Sequence, residues 1–322
     1  MLQQTDDSLG KSVPGRANPE QRSAGTSRRR SLIVLASFLL LGLIGTSYYW
    51  FDTSGVGTGG GIATLKTADF HALAFSPNDP NLVFFGHHNG VMQSRDGGRN
   101  WRPLIERPNF DAMGLATNPV NLSQIYVAGH LIFQISNDGG KSWNPIQHDL
   151  PYDDIHGFAI GPDDPKRLYA FVVGYGLFGS MDGGQRWIKL SSQLSDNVMT
   201  LTAAGGNPEV LYAGGMGSGL MRSIDGGRTW VATGNTLPSR MVNTLALDPV
   251  THKTIFAGTD KGLFKSMNGG SNWARLPLPG NDIAALAISP SNPNVLLAIS
   301  VEGNMGVVFR SEDGGASWGS RR

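Results

Sequence analysis

The string Ser223-Ile-Asp-Gly-Gly-Arg-Thr-Trp230 is one of six copies of the pattern Ser-x-Asp/Asn-Gly-Gly-x-x-Trp, which begin at Ser94, Ser136, Ser180, Ser223, Ser266 and Ser311. Successive copies start 42, 44, 43, 43 and 45 residues apart. A fixed period of that size signals one small supersecondary unit used repeatedly. Each copy has the chemistry of a turn. Ser and Asp carry short acceptors for nearby backbone N–H groups, and paired glycines tolerate the positive φ of a tight hairpin. The acceptors are Asp96, Asp138, Asp182, Asp225, Asn268 and Asp313, and the anchoring aromatics are Trp101, Trp143, Trp187, Trp230, Trp273 and Trp318. Only the fifth copy departs, and the Asn268 amide offers the same acceptor oxygen.

Between copies the pattern predicts four short strands. In the first unit they cover residues 71–75, 82–86, 91–94 and 101–105, separated by Pro/Asn/Asp turns and the box. The first strands align through the period as HALAFSP, MGLATNP, HGFAIGP, MTLTAAG, NTLALDP and AALAISP, and the second as LVFFG, IYVAG, LYAFV, LYAGG, IFAGT and LLAIS. Strands this apolar are buried on both faces, as in stacked sheets. Four antiparallel strands repeated radially make an all-β propeller, and six boxes make six blades. After Trp318 only Gly-Ser-Arg-Arg follows, too short for an outer strand, whereas residues 62–66 match the strand that follows each Trp. That segment is therefore expected to complete the sixth blade and close the ring, which removes two exposed sheet edges.

The box resembles the Asp-box, or BNR repeat, of sialidases, sortilin-type receptors and photosystem II assembly factors. In these families it lies on propeller blades, in the turn between third and fourth strands. The resemblance covers nearly all of residues 62–318 and implies blade architecture rather than a particular activity. It leaves two functional classes open: an extracytoplasmic binding or assembly module, and a glycoside hydrolase of sialidase or other type. Sialidases clamp a substrate carboxylate with three arginines on the ligand face. Here Arg95, Arg99, Arg186, Arg222 and Arg228 lie in or beside the boxes, and only Arg107 and Arg240 fall in loops of the other face. The photosystem family also differs in having seven blades.

The amino terminus is a separate matter. Residues 1–31 are polar, carry six basic and three acidic groups and end in Arg28-Arg29-Arg30, the composition of a disordered basic tail. Residues 32–51 hold no charge and finish in Tyr-Tyr-Trp-Phe. Twenty such residues make a helix of about 30 Å, one membrane span, with the aromatics at its interface. Positive charge ahead of the span orients the tail to the cytoplasm and the remainder outside. A cleaved signal peptide is the competing reading, against which stand the length of the run and the lack of a small-x-small site before the aromatics. Residues 52–61 form a glycine-rich linker, and 62–322 the propeller. A net charge of +1 offers no basic stripe for nucleic acid, and the absence of cysteine excludes disulfides and thiolate metal sites.

Function is then expected from loops. At the lead-in to the inner strands stand Asp69, Asp111, Asp154, Asn197, Met241 and Asp282; two residues further come His71, Met113, His156, Met199, Asn243 and Ala284. The loops between second and third strands, on the same face, add His87, His88, His130, Tyr175, Asp260, Lys261 and Glu302. Five of seven histidines thus share one face with several carboxylates. Imidazole with carboxylate is the ligand set of zinc and similar divalent metals and also the set for acid–base work. A divalent metal is accordingly expected, if anywhere, at His71, His87, His130 and His156 with Asp69, Asp111 and Asp154. The plain alternative is that Asp caps each loop and His lines a wet channel. His148 and His252 are expected to be solvated, and the methionines at 92, 113, 199, 216 and 221 to serve packing.

Overall fold

The computed structural model describes residues 60–319. These form six four-stranded antiparallel sheets, each in simple up-and-down order from an inner to an outer strand. Blade one comprises Phe70–Phe75, Val83–His87, Gly90–Ser94 and Arg102–Glu106. The described residues form an all-β, six-bladed propeller. The span expected over residues 32–51, with the tail and most of the linker, lies outside the described residues; among the described residues no helix is long and apolar enough to cross a membrane.

The apolar second strands are the core. Ile125–Gly129, Leu168–Val172, Leu211–Gly215 and Ile255–Thr259 are buried at every position, because neighbouring blades cover both faces. The outer strands face solvent on one side and shrink to two residues in Asn144–Pro145 and Ala274–Arg275. Closure runs through the amino-terminal strand Ala63–Lys66, which pairs antiparallel with Met305–Ser311, placing Ala63 opposite Val308 and Lys66 opposite Met305. Leu65 then packs with Leu73, Phe85 and Trp101 of blade one and Leu297 and Ile299 of blade six. Buried Arg310 adds a polar tie, donating from Nη1 to the Pro80 carbonyl at 3.0 Å.

The boxes are self-contained turns. Ser94 Oγ donates to Asp96 Oδ1 at 2.8 Å and accepts the Gly98 N–H, while Asp96 Oδ1 also accepts the N–H groups of Arg99 and Asn100. The two glycines sit at φ 73° and 94°, which only glycine adopts freely. Trp101 closes the turn by donating Nε1–H to the Gly98 carbonyl; it precedes the outer strand rather than beginning it. Asn268 reproduces the turn, accepting from Ser266 Oγ and from the Asn272 N–H. The second copy lacks one bond, since buried Trp143 Nε1 has no partner.

Candidate functional site

The ends of the second strands and the loops that follow them bond to the inner-strand lead-ins at the face opposite the boxes. Val173 donates to the Asp154 carbonyl at 3.0 Å, Met216 to Asn197 at 2.9 Å and Val301 to Asp282 at 2.8 Å. In blade two the Asp111 backbone lies so close on the second strand that a Cβ at Gly129 would collide with the Asp111 carbonyl.

Local backbone irregularity aims the next set of side chains. In five of six blades the pairing of inner with second strand slips by one residue, leaving His71, His156, Met199, Asn243 and Ala284 unpaired between ladder neighbours. A β-bulge re-aims its extra residue. His71, His156, Met199 and Asn243 accordingly line the central channel, with Met113 of blade two among them.

Asp111 is the hub of the histidine-bearing half. Its side chain is 4% exposed, with His71 Nε2 2.8 Å from Oδ1 and, around Oδ2, His130 Nδ1 at 2.7 Å and His88 Nδ1 at 3.3 Å. The His130 contact is a well-formed hydrogen bond, whereas the His71 pair is too poorly aligned to be one and leaves both atoms buried without a partner. Burial works to raise the Asp111 carboxyl, yet the contact with His71 and the charges of His71, His130 and His88 prevail and hold it at about 2. His130 reaches on to blade three. Its Nε2 lies 2.8 Å from His156 Nε2 and 3.5 Å from Asp154 Oδ1, and His156 Nε2 stands 3.2 Å from the same oxygen. Burial, helped by His130 and opposed by Asp154, pushes the His156 imidazole down.

Not every expected residue joins this cluster. His87 turns away: its ring stacks at 5.7 Å on Phe85, and its Nδ1 meets Thr67 Oγ1 and the Asn89 N–H. Burial and the neighbouring His71 and His88 push it down to about 4, so it is neutral. Asp69 is exposed and stands 3.9 Å from His88. Tyr175 is 44% exposed at the rim. Asp282 lies across the channel, accepting from Asn243 Nδ2 at 3.0 Å, and burial together with Asp260 raises its carboxyl. Between the two sides is a cavity of about 360 Å³ lined by Asp69, His71, Asp260, Asp282, Asn243 and four methionines, Met113, Met199, Met216 and Met241. Three of those methionines were expected to serve packing; a thioether gives no sequence signal that separates channel lining from core. Ser239, which donates to Asp260, carried no signal either. His148, expected to be solvated, is only 10% exposed and packs edge-on against Phe133, because the outer strand ends early and the chain turns inward there. His252 is part-buried in its turn, Nε2 against the Pro249 carbonyl.

Fold and turns together define a six-bladed β-propeller carrying BNR/Asp-box repeats, and the family pattern described as BNR/Asp-box repeat matches residues 134–145. No curated protein matches the chain in sequence. Among solved structures the chain is similar to a GH74 enzyme from Niastella koreensis, at 17% identity and a TM-score of 0.57 over 81% of this chain and 46% of that one. A GH74 xyloglucanase from Xanthomonas campestris gives 18% identity and 0.55 over 80% and 46%. YCF48 bound to a D1 peptide gives 19% and 0.50 over 80% and 83%. The chain thus spans about half the length of the two GH74 structures. At such identities the likeness is one of fold.

Proposed function

We propose that the propeller is a binding or assembly module, tethered to a membrane by residues 32–51 and facing outward, which meets an extracytoplasmic protein or glycan at its Asp/His-lined mouth. The observation that carries this reading is the contrast between the two faces. Box carboxylates spend their acceptors inside their own turns, whereas on the other face Asp69, Asp260, Asp282, His71 and His156 line one open channel, and His130 and Asp154 stand 2.8 and 3.2 Å from His156. Polar groups that converge on a cavity are available to a ligand. A propeller of similar fold has been seen with a bound peptide, which supports a recognition role.

The second reading is glycoside hydrolysis. It draws on Asp282, whose carboxyl is raised by burial and by Asp260, the condition of a general acid, and on the hydrolase activity of a xyloglucanase with a similar fold. A sialidase-type clamp has no support, since Arg240 donates to the Gly217 carbonyl and Arg107 stacks on Phe110.

One comparison separates the readings. Wild type, an Asp282→Asn variant and an Asp154→Asn/Asp282→Asn double variant are applied to a glycan array and to xyloglucan, with retention and released reducing sugar both measured. Retention without release, lost at least tenfold in the double variant, is the expected result for a glycan-binding module. Sugar release abolished by Asp282→Asn alone establishes the hydrolase instead.

A further inference from the structure

We propose that His130, Asp154 and His156 form a three-ligand site for a divalent transition metal of the zinc class, with Asp111 orienting His130 from behind. The inference rests on the mouth being the recognition face and names what it presents there.

The three ligand atoms, His130 Nε2, His156 Nε2 and Asp154 Oδ1, are separated by 2.8, 3.2 and 3.5 Å. Zinc bonds of about 2.0–2.2 Å in a tetrahedron separate their ligand atoms by about 3.3–3.6 Å. Two edges of the triangle already match, and the third needs to open by about half an ångström. Asp154 Oδ1 is shut off from solvent and accepts no well-formed hydrogen bond, although two imidazole nitrogens stand close to it. A shared cation satisfies this oxygen and replaces the proton that the two imidazole nitrogens share at 2.8 Å, that proton leaving or moving to His156 Nδ1.

The surroundings of His130 are those of a metal ligand, while His156 Nδ1 is buried without a partner. A metal-bound histidine donates its other N–H to a carboxylate, which fixes tautomer and ring orientation. Asp111, 97% buried, does this for His130 Nδ1 at 2.7 Å. His130 is 47% exposed, so a fourth coordination position is open to solvent, where a ligand oxygen or nitrogen can complete the tetrahedron. The other grouping, Asp69, His71 and His88, is weaker: its His88–Asp69 separation is 3.9 Å, and His71 faces Asp111. Nitrogen and oxygen donors without thiolate suit zinc, cobalt or nickel rather than calcium or magnesium, which take oxygen alone.

The test uses the full chain, stripped with chelator in detergent and titrated with cobalt(II), then with zinc in competition. The expected result is one tightly bound cobalt with the intense visible absorption of a tetrahedral site, displaced by one zinc. His156→Gln and Asp154→Asn should each weaken zinc at least 100-fold, and Asp111→Asn by about 10- to 100-fold. His252→Gln, on the box face, should leave it unchanged. Melting curves of the metal-free variants identify any that fail to fold, and either ligand variant alone suffices. Only weak octahedral cobalt absorption, or zinc affinity within twofold of wild type in both ligand variants, overturns the proposal. Ligand retention at the mouth that persists in chelator and in His156→Gln would overturn the metal while leaving the recognition reading intact.

Discussion

Asp225 accepts hydrogen bonds from Ser223 Oγ, from the Arg228 and Thr229 N–H groups and from Thr229 Oγ1, and these bonds hold its carboxyl at about 2. Asp138, Asp182 and Asp313 are held the same way. An unfolded Asp titrates near 3.9, so folding favours the ionised form; the stabilisation is complete above about pH 5 and is lost as the pH falls toward 2. Asp225→Asn, which the turn tolerates at Asn268, should lower Tm at pH 7 and lose that deficit as the pH approaches 2. Calorimetry at both pH values checks this, and an equal deficit at each contradicts it. The box was legible because every partner lies within four residues. His87 and His88 were not separable in the sequence. Neighbouring side chains at a strand end point to opposite sides, so His87 follows Phe85 into the blade while His88 turns to Asp111.

At the scale of elements, aligning the inner strands brought His71, Met113, His156, Met199, Asn243 and Ala284 into one register, but not the bulges that turn most of them inward. A bulge is set by pairing with a strand some fifteen residues away, and no local pattern announces it. The central position of Asp111 was hidden for the same reason: it gathers histidines from two blades and links through His130 to a third. Closure was legible, because residues 62–66 match the strand that follows each Trp, and they pair with Met305–Val308. Deleting residues 62–66 removes the ladder to Met305–Val308 and the buried Leu65. The deletion should lower Tm far more than removing residues 55–59 from the spacer. Equal melting temperatures would contradict closure by this strand.

For the whole molecule, six turns on one face close on themselves while the other face leaves carboxylates, imidazoles and thioethers open to a common channel. Two exposed side chains mark those faces: Tyr175 at the mouth, 44% exposed, and Ile224 in the fourth box, 62% exposed. The direct measurement is to replace each in turn with a photo-cross-linking residue in intact cells and identify adducts by mass spectrometry, with protease added outside before lysis. Position 175 should give a discrete adduct that Asp154→Asn removes and that external protease digests, while position 224 gives none. Adducts from 224 and none from 175 would contradict recognition at the mouth, and adducts that survive the protease would contradict an outward-facing propeller.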